Sequence, residues 1–194
     1  MVHTNNFPLI TGNTSLDLVN TEVVRRGQRI NLLLSKEDVL AWMQVMRKDN
    51  ASFSEQLIDQ AEDRIEKVYP KLLEFRTFLR EHFERIADGE PIPHSLIDIL
   101  EKRIELAPFI YKVVNDKLVP FPMGNSEDAI ISLIAFDCLI LMESKKLNGL
   151  KRCINPDCVL LFIDEGGRRK WCSMKICGNR KKAARFKQRK VESD

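Results

Sequence analysis

The sequence predicts a mainly α protein: an N-terminal helical bundle with short β-hairpins, then a small C-terminal module of turn, hairpin and helix. Three observations predict it. Apolar residues recur at helical spacing through most of the first 150 positions, as in Leu72, Phe75, Leu79, Phe83 and Ile86. Two β-rich runs flank Asn115-Asp116, the chemistry of a two-residue hairpin turn. Four of the five cysteines fall within 25 residues near the C-terminus.

The elements follow in order. Thr14-Ser15 caps a short helix through Leu16, Leu18 and Val19; Arg26-Gly27 breaks the chain, and Ile30 to Leu34 reads as a short strand. Ser35 with Asp38 forms a capping pair for a helix whose apolar face is Val39, Leu40, Trp42, Met43 and Met46. Ser54 opens a helix through Leu57, Ile58, Ala61, Ile65 and Val68, which Pro70 kinks or restarts, and Asp88-Gly89 ends the next run. His94-Ser95 opens a helix through Leu96, Leu100 and Ile104, and the Phe109–Val114 and Lys117–Phe121 strands follow. Asn125-Ser126 caps the most apolar helix, Ala129 to Met142, expected at the centre of the bundle. Asn148-Gly149 is a turn signal, so the expected division is 1–147 and 148–194.

Composition excludes several classes. With 44% hydrophobic and 30% charged residues, the chain is that of a soluble globular protein. Its longest apolar stretch contains Asp137 and is too short to span a bilayer. The first ten residues lack the basic-then-apolar pattern of a signal peptide, so a cytoplasmic protein is expected. In that compartment clustered cysteines argue for a metal rather than disulfides. Net charge is +3 but segregated: residues 151–190 hold 13 Lys/Arg against three acids, whereas residues 1–150 hold 18 against 23. An acidic body with a strongly basic end favours a polyanionic partner.

The cysteine spacing is Cys153-x4-Cys158-x13-Cys172-x4-Cys177. Two close pairs separated by a short insert are what a tetrahedral zinc ion needs, since each pair sits on a tight turn that aims two sulfurs at one point. Asn155-Pro156-Asp157 supplies such a turn. Val159–Ile163 is a strand candidate, Glu165–Arg168 a turn, Arg169–Trp171 a return strand, and a helix follows from Asn179 to about Lys190. That order, with the last ligand at the helix start, is a treble-clef-like zinc finger holding one structural Zn2+. Four thiolates leave no open position for water, which argues against a catalytic zinc. A redox switch is an alternative use, because zinc thiolates oxidise and release metal. No phosphate loop, nucleophile–base pair or catalytic metal motif is present, so no catalytic residue is assigned and an enzyme is not expected.

On the last helix, Lys182, Arg185 and Arg189 share one face, with Asn179, Arg180, Lys181 and Lys187 beside it; Arg168, Arg169 and Lys170 add charge at the hairpin. A basic helix with an apolar back, here Ala183 and Phe186, docks on nucleic-acid phosphates. The alternatives are a solvated basic tail, a capping role for Asn179 and a pairing of Arg180 with Asp164. Phe162 and Trp171 read as packing across the hairpin. Asp17, Asn20 and Thr21, with Arg25, either line a ligand pocket for a small-molecule effector or satisfy buried backbone groups. Asp137 is expected to be paired, with an arginine, and Cys138 to be core.

At Trp171-Cys172-Ser173-Met174 and Cys177-Gly178-Asn179-Arg180 the chain resembles the CGNR zinc-finger family of bacterial transcription regulators. Members carry an N-terminal ABATE domain, a stress-induced regulator domain; Leu16-Asp17-Leu18-Val19-Asn20-Thr21 is similar to its Leu-Asp-Phe-Val-Asn-Thr signature, with Trp42 following at the expected distance. The finger resemblance covers about Arg152 to Arg189. It departs at the hairpin tip, where Glu165-Gly166-Gly167 replaces a Ser- or Thr-bearing tip, and at Lys170, where an Arg is usual. The resemblance implies a regulator that binds duplex DNA, with the N-terminal domain sensing a signal or holding two copies as a homodimer. An RNA-binding or protein-interaction adaptor is the alternative, since treble clefs serve all three uses.

Overall fold

The computed structural model describes residues 7–179. Helix α1 (Thr14–Val19) is buried at every residue. It packs against the long helix α4 (Ile65–Ala87) and the apolar helix α6 (Ser126–Glu143). Helices α2 (Lys36–Arg47), α3 (Glu55–Asp63) and α5 (His94–Leu106) close the bundle around them. α6 is apolar nearly all round because it touches α1, α3, α4 and α5. One core runs through the bundle, with Trp42, Phe53, Leu72 and Phe83 wholly removed from solvent.

Local chemistry starts α2, α3 and α6 where expected, whereas Thr14-Ser15, expected to cap α1, lie inside it, and its N-cap, Asn13, makes no side-chain cap. Ser35 and Asp38 form a reciprocal capping box, Asp38 N donating to Ser35 Oγ at 3.3 Å and Ser35 N to Asp38 Oδ2 at 3.0 Å. Ser54 and Asn125 cap α3 and α6 by accepting from Leu57 N and Asp128 N. The helix expected from Ser54 through Val68 instead breaks at Arg64, six positions before Pro70. Arg64 leaves helical geometry there (φ −116°, ψ 21°), and its guanidinium grips both carboxylate oxygens of Glu127 on α6. That grip holds the Glu127 carboxyl down at about 2. Pro70 is accommodated inside α4, where it and Glu66, the carbonyl four residues back, are exposed.

Among the described residues, three antiparallel two-stranded sheets decorate the bundle. The strand expected at Ile30–Leu34 is half of a hairpin: β1 (Glu22–Arg25) pairs with β2 (Gln28–Asn31), and Arg26 and Gly27 both take positive φ. The supposed breaker is thus a two-residue turn whose twist suits a hairpin. β3 (Phe109–Val114) pairs with β4 (Lys117–Pro122) around Asn115 and Asp116, also at positive φ, as read from sequence. The third sheet differs from expectation. β6 (Leu161–Ile163) pairs with β5 (Leu150–Arg152), and Arg169–Trp171, described in full, forms no strand. Leu147, Leu150 and Leu161 belong to the core of the bundle, which draws both strands onto it. Gly149 makes the junction: a Cβ there would lie 3.0 Å from the Asp164 carbonyl oxygen.

Candidate metal centre and the basic module

Cys153 follows β5. Asn155 folds the next turn by accepting from Asp157 N through its side chain, which brings Cys158 back toward Cys153. Cys172 follows the loop after β6, and Cys177 lies in a π-helical turn, Met174–Gly178, capped by Ser173 Oγ accepting from Ile176 N. The four ligand sulfurs lie within 4.8 Å of one another, and the Cys158–Cys172 separation is 3.8 Å. A tetrahedral ion with sulfurs at ~2.3 Å sets them ~3.8 Å apart, so the donors fit zinc. Cys172 N donates to Cys153 Sγ at 3.4 Å and Asn155 Nδ2 to Cys177 Sγ at 3.5 Å, contacts that fix the two sulfurs in place.

The thiols also show why a cation belongs among them. Donation from Cys158 and then Cys172 drives the Cys153 thiol far down, and the same contacts push those of Cys158 and Cys172 up. A divalent cation among the four sulfurs lets all of them ionise. Zinc bound by four thiolates supplies cross-linking and no reactive water.

The module has a small interior: Leu160 and Phe162 buried beside the cysteines, with Trp171 and Ile176 packed against them. Ile10 and Val23 of the body complete it. Phe162 is covered by the guanidinium of Arg169, 4.5 Å above its ring. Arg169 also donates through Nε to Trp171 O at 3.0 Å and through Nη2 to Cys172 O, while its backbone N–H reaches Asp164. Lys151 Nζ, 2.7 Å from Asp164, holds that carboxyl below its usual range. Asp164 thus has partners of its own; Arg180, its expected partner, lies outside the described residues. So do Lys181, Lys182, Arg185, Lys187 and Arg189, and with them the expected last helix. Arg168, Lys170 and Asn179 are exposed.

The structure does not gather Asp17, Asn20, Thr21 and Arg25 into one pocket. Asp17 closes the loop before α1, its carboxylate accepting from the Ile10, Thr11 and Gly12 N–H groups and the Thr11 hydroxyl. Burial nevertheless pushes its carboxyl up to about 6. Asn20 pairs with Leu161 of β6 as a second backbone would, Nδ2 to Leu161 O at 3.0 Å and Leu161 N to Oδ1 at 2.9 Å. Thr21 donates to Leu18 O and accepts from Arg76. Arg25 is exposed on β1, beside a cavity the other three do not line. Asp137 is paired with Ser15, accepting from its N–H at 2.8 Å and its hydroxyl at 2.5 Å, and among the described residues no arginine pairs with it. Cys138 is core, its thiol pushed up by burial.

Sequence reading missed an ionic clamp between body and module. Arg76 and Arg80 are buried on α4. Glu22 lies between them, 2.7 Å from Arg80 Nε and 3.5 Å from Arg76 Nη2. Arg80 donates to Val19 O of the body and, at 3.2 Å, to Val159 O of the module. Arg152 on β5 grips Asp88 with two nitrogens. Burial opposes the charge of Arg76 and Arg80, and Glu22 offsets it. A signal was present: positions 76 and 80 continue the stripe of Leu72, Phe75, Leu79 and Phe83, so they face inward.

A helical body clamped to a four-cysteine zinc module is the class these features define. Residues 12–117 match the ABATE family, described as "Putative stress-induced transcription regulator", and residues 150–190 match the CGNR zinc finger. The chain belongs to the ABATE family and carries a C-terminal CGNR finger with one structural Zn2+. Neither description names a catalytic activity. No curated protein matches the chain. Among the described residues no helix is long and apolar enough to cross a membrane.

Proposed function

We propose that this chain is a DNA-binding transcription regulator whose zinc module presents a basic surface to duplex DNA. The observation that carries the reading is charge segregation: 13 Lys/Arg against three acids in residues 151–190, joined to an acidic body. Four thiolates fix the root of that basic segment and leave no chemistry for the metal beyond cross-linking. Arg168, Lys170 and Asn179 are the exposed contacts proposed on the module. Arg180, Lys181, Lys182, Arg185, Lys187 and Arg189 are proposed as phosphate contacts beyond it. Arg169 is better suited to holding the module together, given its contacts to Phe162, Trp171 and Cys172.

The division of labour is part of the proposal: residues 148–194 bind nucleic acid, and residues 1–147 receive a signal or hold two copies together. A single small module covers roughly 600–1,000 Å² of DNA and reads few bases, so selective binding calls for two. The exposed apolar residues Ile110, Tyr111, Val113 and Leu118 on β3 and β4 support self-association through the body.

The test is selection of bound fragments from random duplex DNA by the zinc-loaded full chain, with an RNA pool in competition. Enrichment of a duplex sequence supports the reading; enrichment of RNA, or of neither, overturns it. Lys182→Ala, Arg185→Ala and Arg189→Ala should each reduce the log–log salt slope by about 0.9 if each removes one phosphate contact.

A further inference from the structure

The four zinc ligands are not equally reachable. Cys153, Cys172 and Cys177 are buried, whereas Cys158 is half-buried and forms part of the wall of a cavity of about 210 Å³. The cavity lies between the β1–β2 hairpin and the zinc module; Val24, Arg25 and Leu32 face Asp157 and Leu160 across it. A water molecule takes about 30 Å³ of liquid, so the space admits a solute of a few heavy atoms. Once inside, such a solute meets one zinc thiolate and no other. Cys172 Sγ is 3.8 Å behind it, within reach of a side-chain rotation.

We propose that Cys158 is a thiol-modification site for small hydroperoxides, and that its oxidation opens the zinc centre. Cys158 Sγ attacks one peroxide oxygen. An S–O bond forms and the O–O bond breaks. The departing hydroxide, or alkoxide from an organic hydroperoxide, takes a proton from solvent and leaves as water or alcohol. The sulfur is now a sulfenic acid, oxidised by two electrons, and the peroxide is reduced by two. Cys172 Sγ then attacks that sulfur. An S–S bond forms, the S–O bond breaks, and the second hydroxide takes a proton and leaves as water. With two of four thiolates consumed, the site no longer holds zinc.

The fold confines the damage. The side-chain hydrogen bonds that join module and body are on the strand side: Asn20 to Leu161, Arg80 to Val159 and Arg152 to Asp88. None of them depends on Cys172 or Cys177. With Cys172 held by the new disulfide, loss of zinc frees the segment beyond it, with its basic residues, while β5 and β6 stay on the bundle. The reaction itself stands apart from the proposed DNA binding, and its test does not use DNA.

The experiment treats the zinc-loaded full chain with hydrogen peroxide. A chromogenic zinc chelator follows release, and mass spectrometry after alkylation maps the cysteines. The expected result is one zinc released per disulfide formed, a first disulfide of Cys158 with Cys172, and Cys138 unreacted. Val24→Phe, which narrows the cavity without touching a ligand, should slow release severalfold. Cys158→His keeps four zinc donors and should resist peroxide. Zinc retained under excess peroxide, a first disulfide between Cys153 and Cys177, or a Val24→Phe rate equal to that of the wild type would overturn the proposal. If the histidine variant fails to bind zinc, the disulfide map and the Val24→Phe rate still decide it.

Discussion

In the helical body, Trp42, Phe53, Leu72 and Phe83 head a long roster of side chains sealed from water, contributed by every helix. In the zinc module the sealed set is Leu160, Phe162 and three cysteines. Apolar burial at ~25 cal/mol per Å² can order the first region and falls short in the second. The metal makes up the difference there, by cross-linking four points of a chain that has little else to hold it. The border between the two regimes does not follow the sequence motif. β5 and β6 lie within the residues matched as a zinc finger, yet Leu150 and Leu161 are buried in the core of the bundle.

Removing zinc is the largest perturbation available to this contrast. Metal binding supplies on the order of 10 kcal/mol in zinc-finger peptides. Chelation, or Cys172→Ser, should therefore abolish amide-exchange protection over residues 164–179. Residues 150–152, 161–163 and the helices should remain protected. Simultaneous loss of the body would show that the two regions fold as one. Phe83→Ala comes next and probes the other side. The side chain is wholly buried, and its truncation should lower body stability by about 3–5 kcal/mol in urea unfolding.

Acid should move the two regions in opposite directions. Asp17 in the folded body has its carboxyl raised to about 6 by burial, above an unfolded value of 3.8. Between those values the folded state holds the proton more tightly. The cost of ionising Asp17 is thus fully present above pH 6 and relieved as pH falls toward 4, a gain of about 3 kcal/mol at most. Thiolates bind zinc in competition with protons, so the module weakens over the same descent. From pH 7 to pH 5 the urea midpoint of the body should rise while zinc affinity falls; a fall in both would remove Asp17 from the account. The smallest effect expected is at the join. Asn20→Ala leaves Leu161 N–H and C=O without their buried partner, which costs about 2 kcal/mol. Its mark should be faster exchange at Leu161, with the helix amides unchanged.

The contrast also governs what was legible in the sequence. Zinc ligands could be read because tetrahedral coordination demands a spacing, and the helices because apolar residues recur every three or four positions. The β3–β4 turn was readable from Asn115-Asp116, residues that tolerate positive φ. Arg26-Gly27 carries the same backbone geometry, but an arginine in the first position hid it, and one strand of a hairpin was expected where two exist. Leu150-Lys151-Arg152 is too short and too polar to signal a strand by itself. Its role as the partner of β6 is fixed by a core assembled from residues far away in sequence, which no local pattern reports. For the same reason the partners of Asp137 and Asn20 lay out of reach, 122 and 141 positions distant.

Those long separations have a consequence for the nascent chain. α1 leaves the ribosome before the helices it packs against and is buried at every residue, so it cannot settle where it emerges. Its Ser15 waits for Asp137, and the adjoining Asn20 waits for Leu161, which arrives 141 positions later. At about 5–20 residues per second, the interval is of the order of ten seconds. Throughout it the apolar side of α1 and the polar groups of Asn20 must be shielded by transient contacts or by chaperones. A gene fragment that stops before β6 would leave that wait unended, and its product would be expected to aggregate even though every helix of the body is encoded in it.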